Sequence, residues 1–390
     1  MLVFLGEPFW KKGTSFFTAK NSLSFLKFAF SEPIKVVGYE ITELSDDKIS
    51  ARIDCEDFYS IPYATTTIGF VKKSILNPFF LKKYIVKCFA ILDANPDVPV
   101  WIRNPSVGAL IFSLCAMRRN RQILNHMCAN IMNAWDNPKY NGVTSFFARM
   151  FSVCLKKMVI KVSSYQRGIN LCTGDELHKF CLQYNKNSFH FIDSSLGLHH
   201  IKDLEQYNKH AKTENTFNFL FIGRVQFDKG IVELLDAFVK IPKDNITLNV
   251  VGEGKLLKHL KEKYKDVKNI FFWGSLSNNK IPVAILNSHV IVVPSNNKYE
   301  GFPRVILESW LFGKPVIVSN VGGINALVKD RSNGLIYDNH NEGELACKLY
   351  EITDKDLYSQ LSEGALKMRD VSLADYWKNV LLSIMNSFNK

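Results

Sequence analysis

The sequence predicts an α/β protein of two doubly wound, mostly parallel domains facing each other across a cleft. Three observations carry that expectation. In the second half, short apolar runs alternate with segments of helical spacing, the pattern of strands covered by crossover helices. Several of those runs end in glycine, as strand-to-helix turns do. The chain has 390 residues, too many for one ordinary core, and the polar run HHIKDLEQYNKHAKTENT (199–216) reads as a linker between halves.

In chain order, Leu2–Leu5 reads as a strand, residues 6–15 as a loop, and the segment to about Phe30 as a helix. Lys35–Tyr39, Val98–Ile102, Gln122–Asn125 and Gly168–Thr173 are further strands. Beyond the linker, strands are expected at Phe217–Ile222, Thr247–Val251, Asn269–Trp273, Val290–Pro294 and Pro315–Ser319. Helices are expected at Ile231–Ile241, Leu256–Tyr264, Ile281–Asn287 and Pro303–Phe312. The last is bracketed by Pro303, suited to a first helical position, and by Gly313 and Pro315, suited to a helix end. The resulting division is residues 1–205, 206–371 and a final helical segment 372–390. Ligands of such sheets bind beyond the carboxyl ends of the strands.

The composition narrows the class. About half the residues are apolar and 22% are charged, so the chain is globular and not disordered. The start MLVFLGEPFW lacks a basic leader and a long apolar stretch, so no secretory signal is expected there. No run approaches the ~18 apolar residues of a membrane span. Eight scattered cysteines without a C-x-x-C pair argue for reduced cytosolic thiols.

The net charge of +12 is uneven: residues 1–200 carry 24 Lys/Arg against 15 Asp/Glu, residues 201–390 carry 25 against 22. Two basic amphipathic stretches stand out. Residues 71–92 hold five lysines and no acid, and 144–168 place apolar residues at 147, 150, 151, 154, 155, 158 and 162 among five cations. Either they face a core with a solvated outer side, or they lie on an anionic bilayer. No recognised nucleic-acid module accompanies them, so nucleic acid is not an expected partner.

The chemistry concentrates in the second half. In FLFIGRVQFDKGIVELLDAF (219–238) a strand runs into Gly223-Arg224, then Lys229-Gly230, then a helix. An arginine fork, a lysine and a helix N-terminus outline a diphosphate site, though basic surface turns look similar. Gly252 and Gly254 allow a sharp turn after the next strand, and the backbone at Trp273-Gly274 can pair with a base edge or simply turn. In YEGFPRVILESWLFGKPVI (299–317), Glu300 and Glu308 stand eight apart in an apolar run. A carboxylate there needs donors: sugar or ribose hydroxyls, or Arg304 one turn from Glu308.

Taken jointly, Gly223-Arg224, Lys229-Gly230, Gly252-x-Gly254, Glu300-x7-Glu308, Gly313-Lys-Pro-Val, Gly322-Gly323 and Asn333-Gly334 resemble the nucleotide-sugar domain of retaining GT-B glycosyltransferases, family 4 (group 1). The resemblance is strong over roughly 217–340 and weaker, but compatible, before that. It implies that Arg224 and Lys229 bind the diphosphate, Glu308 the ribose and Glu300 the donor sugar. It also implies that Gly322-Gly323, with the segment Gly301-Phe302-Pro303-Arg304, lie along the donor. The final helix is expected to cross back onto the first domain. No metal and no further cofactor is implied, and the sequence has no convincing D-x-D motif; cationic side chains would stabilise the leaving diphosphate.

The sequence departs from the family pattern in four places. In place of a glycine-rich loop after the first strand it offers only Gly6 and Gly13, and Gly13 is the expected phosphate-side turn. Leu311 stands where a small residue is common, Ala326 stands where a glutamate is common, and Arg304 is an addition. In the first domain His126 resembles a histidine expected near the donor sugar, although a lone histidine after a strand is often structural. Asp136 and Arg103 are further cleft candidates.

The expected function is hexose transfer, with retention, from a UDP-type nucleotide sugar to a lipid-linked oligosaccharide of bacterial O-antigen or capsule. The expected place is the cytoplasmic face of the inner membrane. A nucleotide-sugar epimerase and a non-catalytic nucleotide-sugar-binding subunit are the alternatives.

Overall fold

In a computed structural model, residues 1–19, 22–42, 49–64, 67–130, 143–197, 216–277, 280–297 and 300–388 are described, without side chains at 67, 68, 143–148 and 150. Asp136 and nearly all of the polar linker lie outside the described residues. The chain divides into two compact units, Met1–Ser195 and Leu196–Lys390.

Unit 1 contains strands β1 (Leu2–Lys12), β2 (Ser15–Thr18), β3 (Lys35–Ile41), β4 (Ala51–Asp54), β5 (Phe58–Ser60), β6 (Val100–Asn104), β7 (Ile123–Met127), β8 (Gly168–Cys172) and β9 (Ser188–His190). Its helices are α1 (Ser22–Ala29), α2 (Thr67–Leu76), α3 (Pro78–Asp93), α4 (Val107–Arg118), α5 (Val143–Ser163) and α6 (Asp175–Leu182). The strands β5, β3, β1, β6, β7, β8 and β9 pair in parallel, in that order. An antiparallel extension, β1–β2–β4, grows from the far end of β1.

That extension corrects the expected loop and early helix. β1 does not stop at Leu5: Gly6, at φ 63°, bulges, and pairing with β3 resumes at Pro8. The chain then turns back through Gly13-Thr14, with Lys12 opposite Ser15. Phe9 and Phe16 both pack on Phe58, which holds the hairpin to the sheet. The helix begins only at Ser22.

Three central strands are pinned by a buried amide ladder. Asn104 donates to Asn125 at 2.8 Å, and Asn125 donates to Asn170 at 2.8 Å. Asn170 in turn donates to Ser188 Oγ and to the Ser163 carbonyl. Each amide is about 1% exposed, so the ladder fixes the register of β6, β7 and β8 at a place where a slip would strand polar groups.

Unit 2 contains β10 (Phe217–Ile222), β11 (Ile246–Val251), β12 (Ile270–Gly274), β13 (Val290–Val293), β14 (Val316–Ser319) and β15 (Gly334–Tyr337). Its helices are α7 (Ile231–Phe238), α8 (Leu257–Lys263), α9 (Ile281–Leu286), α10 (Arg304–Leu311), α11 (Glu342–Glu351), α12 (Lys355–Lys367), α13 (Arg369–Ser372) and α14 (Ala374–Phe388). All six strands are parallel, in the order β12-β11-β10-β13-β14-β15. The winding therefore reverses between β10 and β13, and ligands of doubly wound sheets bind where that reversal opens a crevice.

Candidate functional site

The tips of β10 and β13 meet at the reversal. After β10 the chain runs through Gly223-Arg224 into a short 3-10 turn, Phe227–Lys229, and then into α7. Gly230 joins turn to helix at φ 65°. A Cβ there would stand 1.7 Å from the Pro294 carbonyl oxygen, so only glycine lets this turn press against the tip of β13. Gly252, at φ 141°, brings the tip of β11 equally close to the Gly223 carbonyl.

That packing brings Lys229 and Glu300 together. Lys229 Nζ donates to Glu300 Oε2 at 2.5 Å, and Ser295 Oγ donates to the same oxygen at 2.8 Å. The two side chains are 20% and 17% exposed, so the pair is shielded but reachable. The Glu300 carbonyl accepts from Gly323 N at 3.1 Å, which ties the Gly322-Gly323 loop after β14 to the same place. Ser295 was not foreseen: a serine directly after a strand carries no signal until the strand order is known.

Arg224 is exposed and points its guanidinium at Gln226 Oε1 (3.0 Å) and Asp228 Oδ2 (2.9 Å). Asp228 is therefore a second unforeseen member, holding the arginine fork in place beside the lysine.

Pro303 caps α10 and does not form its first turn, so the helix is Arg304–Leu311 and slightly shorter than expected. Gly313 ends it at φ 64°. Phe302 turns inward onto Trp310, and Gly301 and Pro303 are buried with it, so this segment contributes backbone to any ligand surface. Glu308 sits half-buried in the second turn of α10. Burial raises its carboxyl above the ordinary value, and the charge of Arg304 pulls the other way. Among the described residues no ion pair joins Glu308 to Arg304, and none joins it to Lys229.

A raised carboxyl pKa makes the protonated form the better-folded one. Its stabilising contribution is full below the unfolded pKa near ~4.3 and is lost as pH rises through the folded value, so ionised Glu308 is a net cost at pH 7. Glu308→Gln is therefore expected to raise the melting temperature of the ligand-free protein at neutral pH. If Glu308 accepts from ribose hydroxyls, as the sequence resemblance implies, the change should also weaken nucleotide binding at least about tenfold, because a neutral amide is a poorer acceptor for two hydroxyls. Differential scanning fluorimetry with and without UDP reads both; a lower melting temperature with unchanged UDP affinity would refute this role.

The remaining expected residues lie elsewhere. Trp273 is on the edge strand β12, 61% exposed, donating Nε1–H to Asn249 Oδ1 at 2.9 Å. Gly274 accepts from Gly252 N at 2.8 Å and links the tips of β11 and β12. Gly13 turns the β1–β2 hairpin with open space where a Cβ would be, so it is a hairpin residue and not part of a strand-to-helix phosphate loop.

His126 is fully buried in β7, its ring edge-on to Trp101 and Phe191 and its Nε2 3.2 Å from Thr173 Oγ1. Every residue of β7 is enclosed by neighbouring strands and helices. The expected sugar-facing histidine is thus a core residue. Arg103, by contrast, reaches the carboxyl edge of its sheet.

Residues 203–368 match the family model described as "Glycosyl transferases group 1". Over 225 residues the chain is 27% identical to the UDP-Gal:alpha-D-GlcNAc-diphosphoundecaprenol alpha-1,3-galactosyltransferase of Escherichia coli, covering 54% of this chain and 51% of that protein. The chain thus spans about half the length of the curated relatives it matches. Among solved structures, Anabaena Alr3699/HepE in complex with UDP superposes with a TM-score of 0.65 at 15% identity, over 99% of both chains. WaaG, "a glycosyltransferase involved in lipopolysaccharide biosynthesis", superposes with a TM-score of 0.64 at 14% identity, over 97% of this chain and 99% of that one. The expected fold class is borne out: two α/β units with parallel sheets, as in the GT-B glycosyltransferases.

Proposed function

We propose that this chain, whose second unit carries the group 1 glycosyltransferase domain, transfers a hexose from a UDP-linked sugar to a lipid-linked oligosaccharide, with retention at the anomeric carbon. The observation that carries this is the Lys229–Glu300–Ser295 cluster at the winding reversal of unit 2, with Arg224 on the adjoining turn. The relative from Escherichia coli, named for transfer from UDP-Gal to a diphosphoundecaprenol-linked sugar, supports the substrate class.

In this reading the donor's diphosphate lies against Lys229, Arg224 and the N–H groups opening α7. Lys229 exchanges the Glu300 carboxylate for a phosphate oxygen. Glu300 is released to accept from hydroxyls of the hexose, and Glu308 accepts from the ribose. The bond between the anomeric carbon and the diphosphate oxygen breaks, and the acceptor hydroxyl attacks from the same face. Its proton passes to the departing phosphate oxygen. The positive side chains stabilise the charge that develops on the leaving group, and no metal or cofactor is called on.

The acceptor's lipid places the protein at a bilayer. At the corner between α2 and α3, Ile75, Leu76 and Phe79 are each more than 70% exposed, with Lys72, Lys82, Lys83 and Lys87 around them. Apolar side chains in the interface and lysines at anionic headgroups are how a monotopic surface holds on. Among the described residues no helix is long and apolar enough to cross a membrane. Ile75→Ser with Phe79→Ser should lower sedimentation with phosphatidylglycerol vesicles at least about tenfold and leave UDP binding intact. Equal sedimentation of the double variant, or equal binding to neutral phosphatidylcholine, would remove this part of the reading.

The test of turnover uses UDP-hexoses with α-D-GlcNAc-diphosphoundecaprenol and related lipid-linked saccharides. A labelled hexose in the lipid fraction, α-linked from an α-donor, is the expected product. Free epimerised donor without acceptor would instead make the chain an epimerase. Donor binding without turnover on any acceptor would make it a binding subunit.

A further inference from the structure

The Lys229–Glu300 pair joins two segments far apart in the chain, the turn after β10 and the stretch after β13. Its geometry depends on how those segments are held together. Gly230 is pressed against the Pro294 carbonyl. Asn296 N donates to the Asp228 carbonyl at 3.1 Å. Asn296 Nδ2 donates to Glu233 Oε1 at 2.6 Å, in the first turn of α7, and stands 3.4 Å from the Phe227 carbonyl. Asn296 therefore grips Phe227 and Asp228 on one side of Lys229 and Glu233 on the other.

The Asn296–Glu233 bond is not needed to bring the backbones together, because the contacts at Gly230 and Asp228 already do that. Two neighbouring points of contact, however, leave one segment free to rock about the other. A further contact, reached from α7, removes that freedom. The bond is also a costly way to make a plain tie. Its acceptor is a carboxylate whose second oxygen, Oε2, is shut off from solvent and accepts no hydrogen bond among the described residues. What the carboxylate supplies is strength and direction, since an N–H held by it makes a shorter, firmer bond than one held by a neutral oxygen. Ser295, the neighbour of Asn296, donates to Glu300. Rocking of the β13 tip would therefore move the serine, the carboxylate and the lysine relative to one another.

We infer that Asn296 and Glu233 are positioning residues for sugar transfer: they clamp the tip of β13 to α7, so that Lys229 and Glu300 keep the spacing that a donor's diphosphate and hexose require together. Neither residue touches the donor. The inference rests on the proposed donor site and involves unit 2 alone. With a loose tip, the long Lys229 side chain can still follow the diphosphate, but the hexose hydroxyls lose their alignment with Glu300. The clamp should thus weigh on turnover and little on UDP affinity.

Turnover is read as UDP released from UDP-glucose and UDP-galactose, with and without α-D-GlcNAc-diphosphoundecaprenol, at a temperature where melting curves show every variant folded. Calorimetric titration of UDP reads affinity. Asn296→Ala and Glu233→Ala should each lower kcat at least about tenfold and change the UDP dissociation constant less than about threefold. The double alanine variant should be no slower than the slower single one, because both changes release the same clamp. Asn296→Asp sets one carboxylate against another and should be slower than Asn296→Ala. Adding Glu233→Gln to it restores a donor–acceptor pair with the roles exchanged, and should recover at least about tenfold of the lost kcat. Wild-type kcat in both alanine variants, UDP affinity that falls in step with kcat, or an exchanged pair no faster than Asn296→Asp overturns the clamp. Wild-type protein that binds no UDP, or releases none from either donor, overturns the transfer reading itself and the clamp with it.

Discussion

Lys229→Ala is expected to lower sugar transfer by about three orders of magnitude or more, the scale of losing one preorganised charge at a developing anion. The loss should fall on kcat/KM, because in the proposed reading Lys229 would face the diphosphate in both ground and transition state. Its ligand-free partner makes the experiment more informative. Without Lys229, the Glu300 carboxylate keeps Ser295 Oγ as its hydrogen-bond donor in a shielded position. That should cost about 1–3 kcal/mol of stability. Adding Glu300→Gln removes the stranded charge, so the double variant should recover most of that stability and none of the activity. A double variant that recovers transfer would show that the lysine serves only to neutralise Glu300, and the donor assignment would fail.

Gly230→Ala is the second large effect. The alanine would have to keep φ near 65° and place its Cβ 1.7 Å from the Pro294 carbonyl oxygen. The turn must open, and with it the approach of β10's loop to β13's tip. A cost of at least about 3 kcal/mol is expected, or roughly 6–12 °C in the melting temperature of a unit this size. The Lys229–Glu300 distance should grow, and UDP affinity should fall with it. A variant with wild-type melting temperature and UDP affinity would mean that the close approach is not needed. The contrast with Gly13, where a Cβ meets nothing, provides the control: Gly13→Ala strains only a hairpin turn.

The second unit was the more legible one because its signals are local. Its strands β10, β11 and β12 are apolar runs that end at Gly223, Gly252 and Gly274, and Arg224 and Lys229 sit on the turn directly after the first of them. Thus Arg224 and Lys229 could be placed on the turn after Phe217–Ile222 before any topology was known. Ser295 could not: its role comes from the strand order, which puts the tip of β13 beside the turn after β10. Asp228 was missed although it stands four residues from Arg224 on the same turn. The first unit was harder to read. Gly6 and Pro8 look like the end of a strand, yet they form a bulge in one that runs to Lys12. The Asn104–Asn125–Asn170 ladder consists of buried polar residues inside mostly apolar strands, which an apolar-run reading discounts. His126 fails for the same reason: a residue after an apolar run can be inside the sheet and not at its edge.

The central claim is that the crevice at unit 2's winding reversal holds a nucleoside diphosphate through Lys229 and its neighbours. Titration of UDP into wild type and Lys229→Ala, followed by thermal stabilisation, tests it most directly. The account predicts that wild type gains about 2.7 kcal/mol at roughly 100 times the dissociation constant and that Lys229→Ala gains almost nothing at the same concentration. Equal stabilisation of the two proteins, or none for wild type with any nucleoside diphosphate, would contradict it.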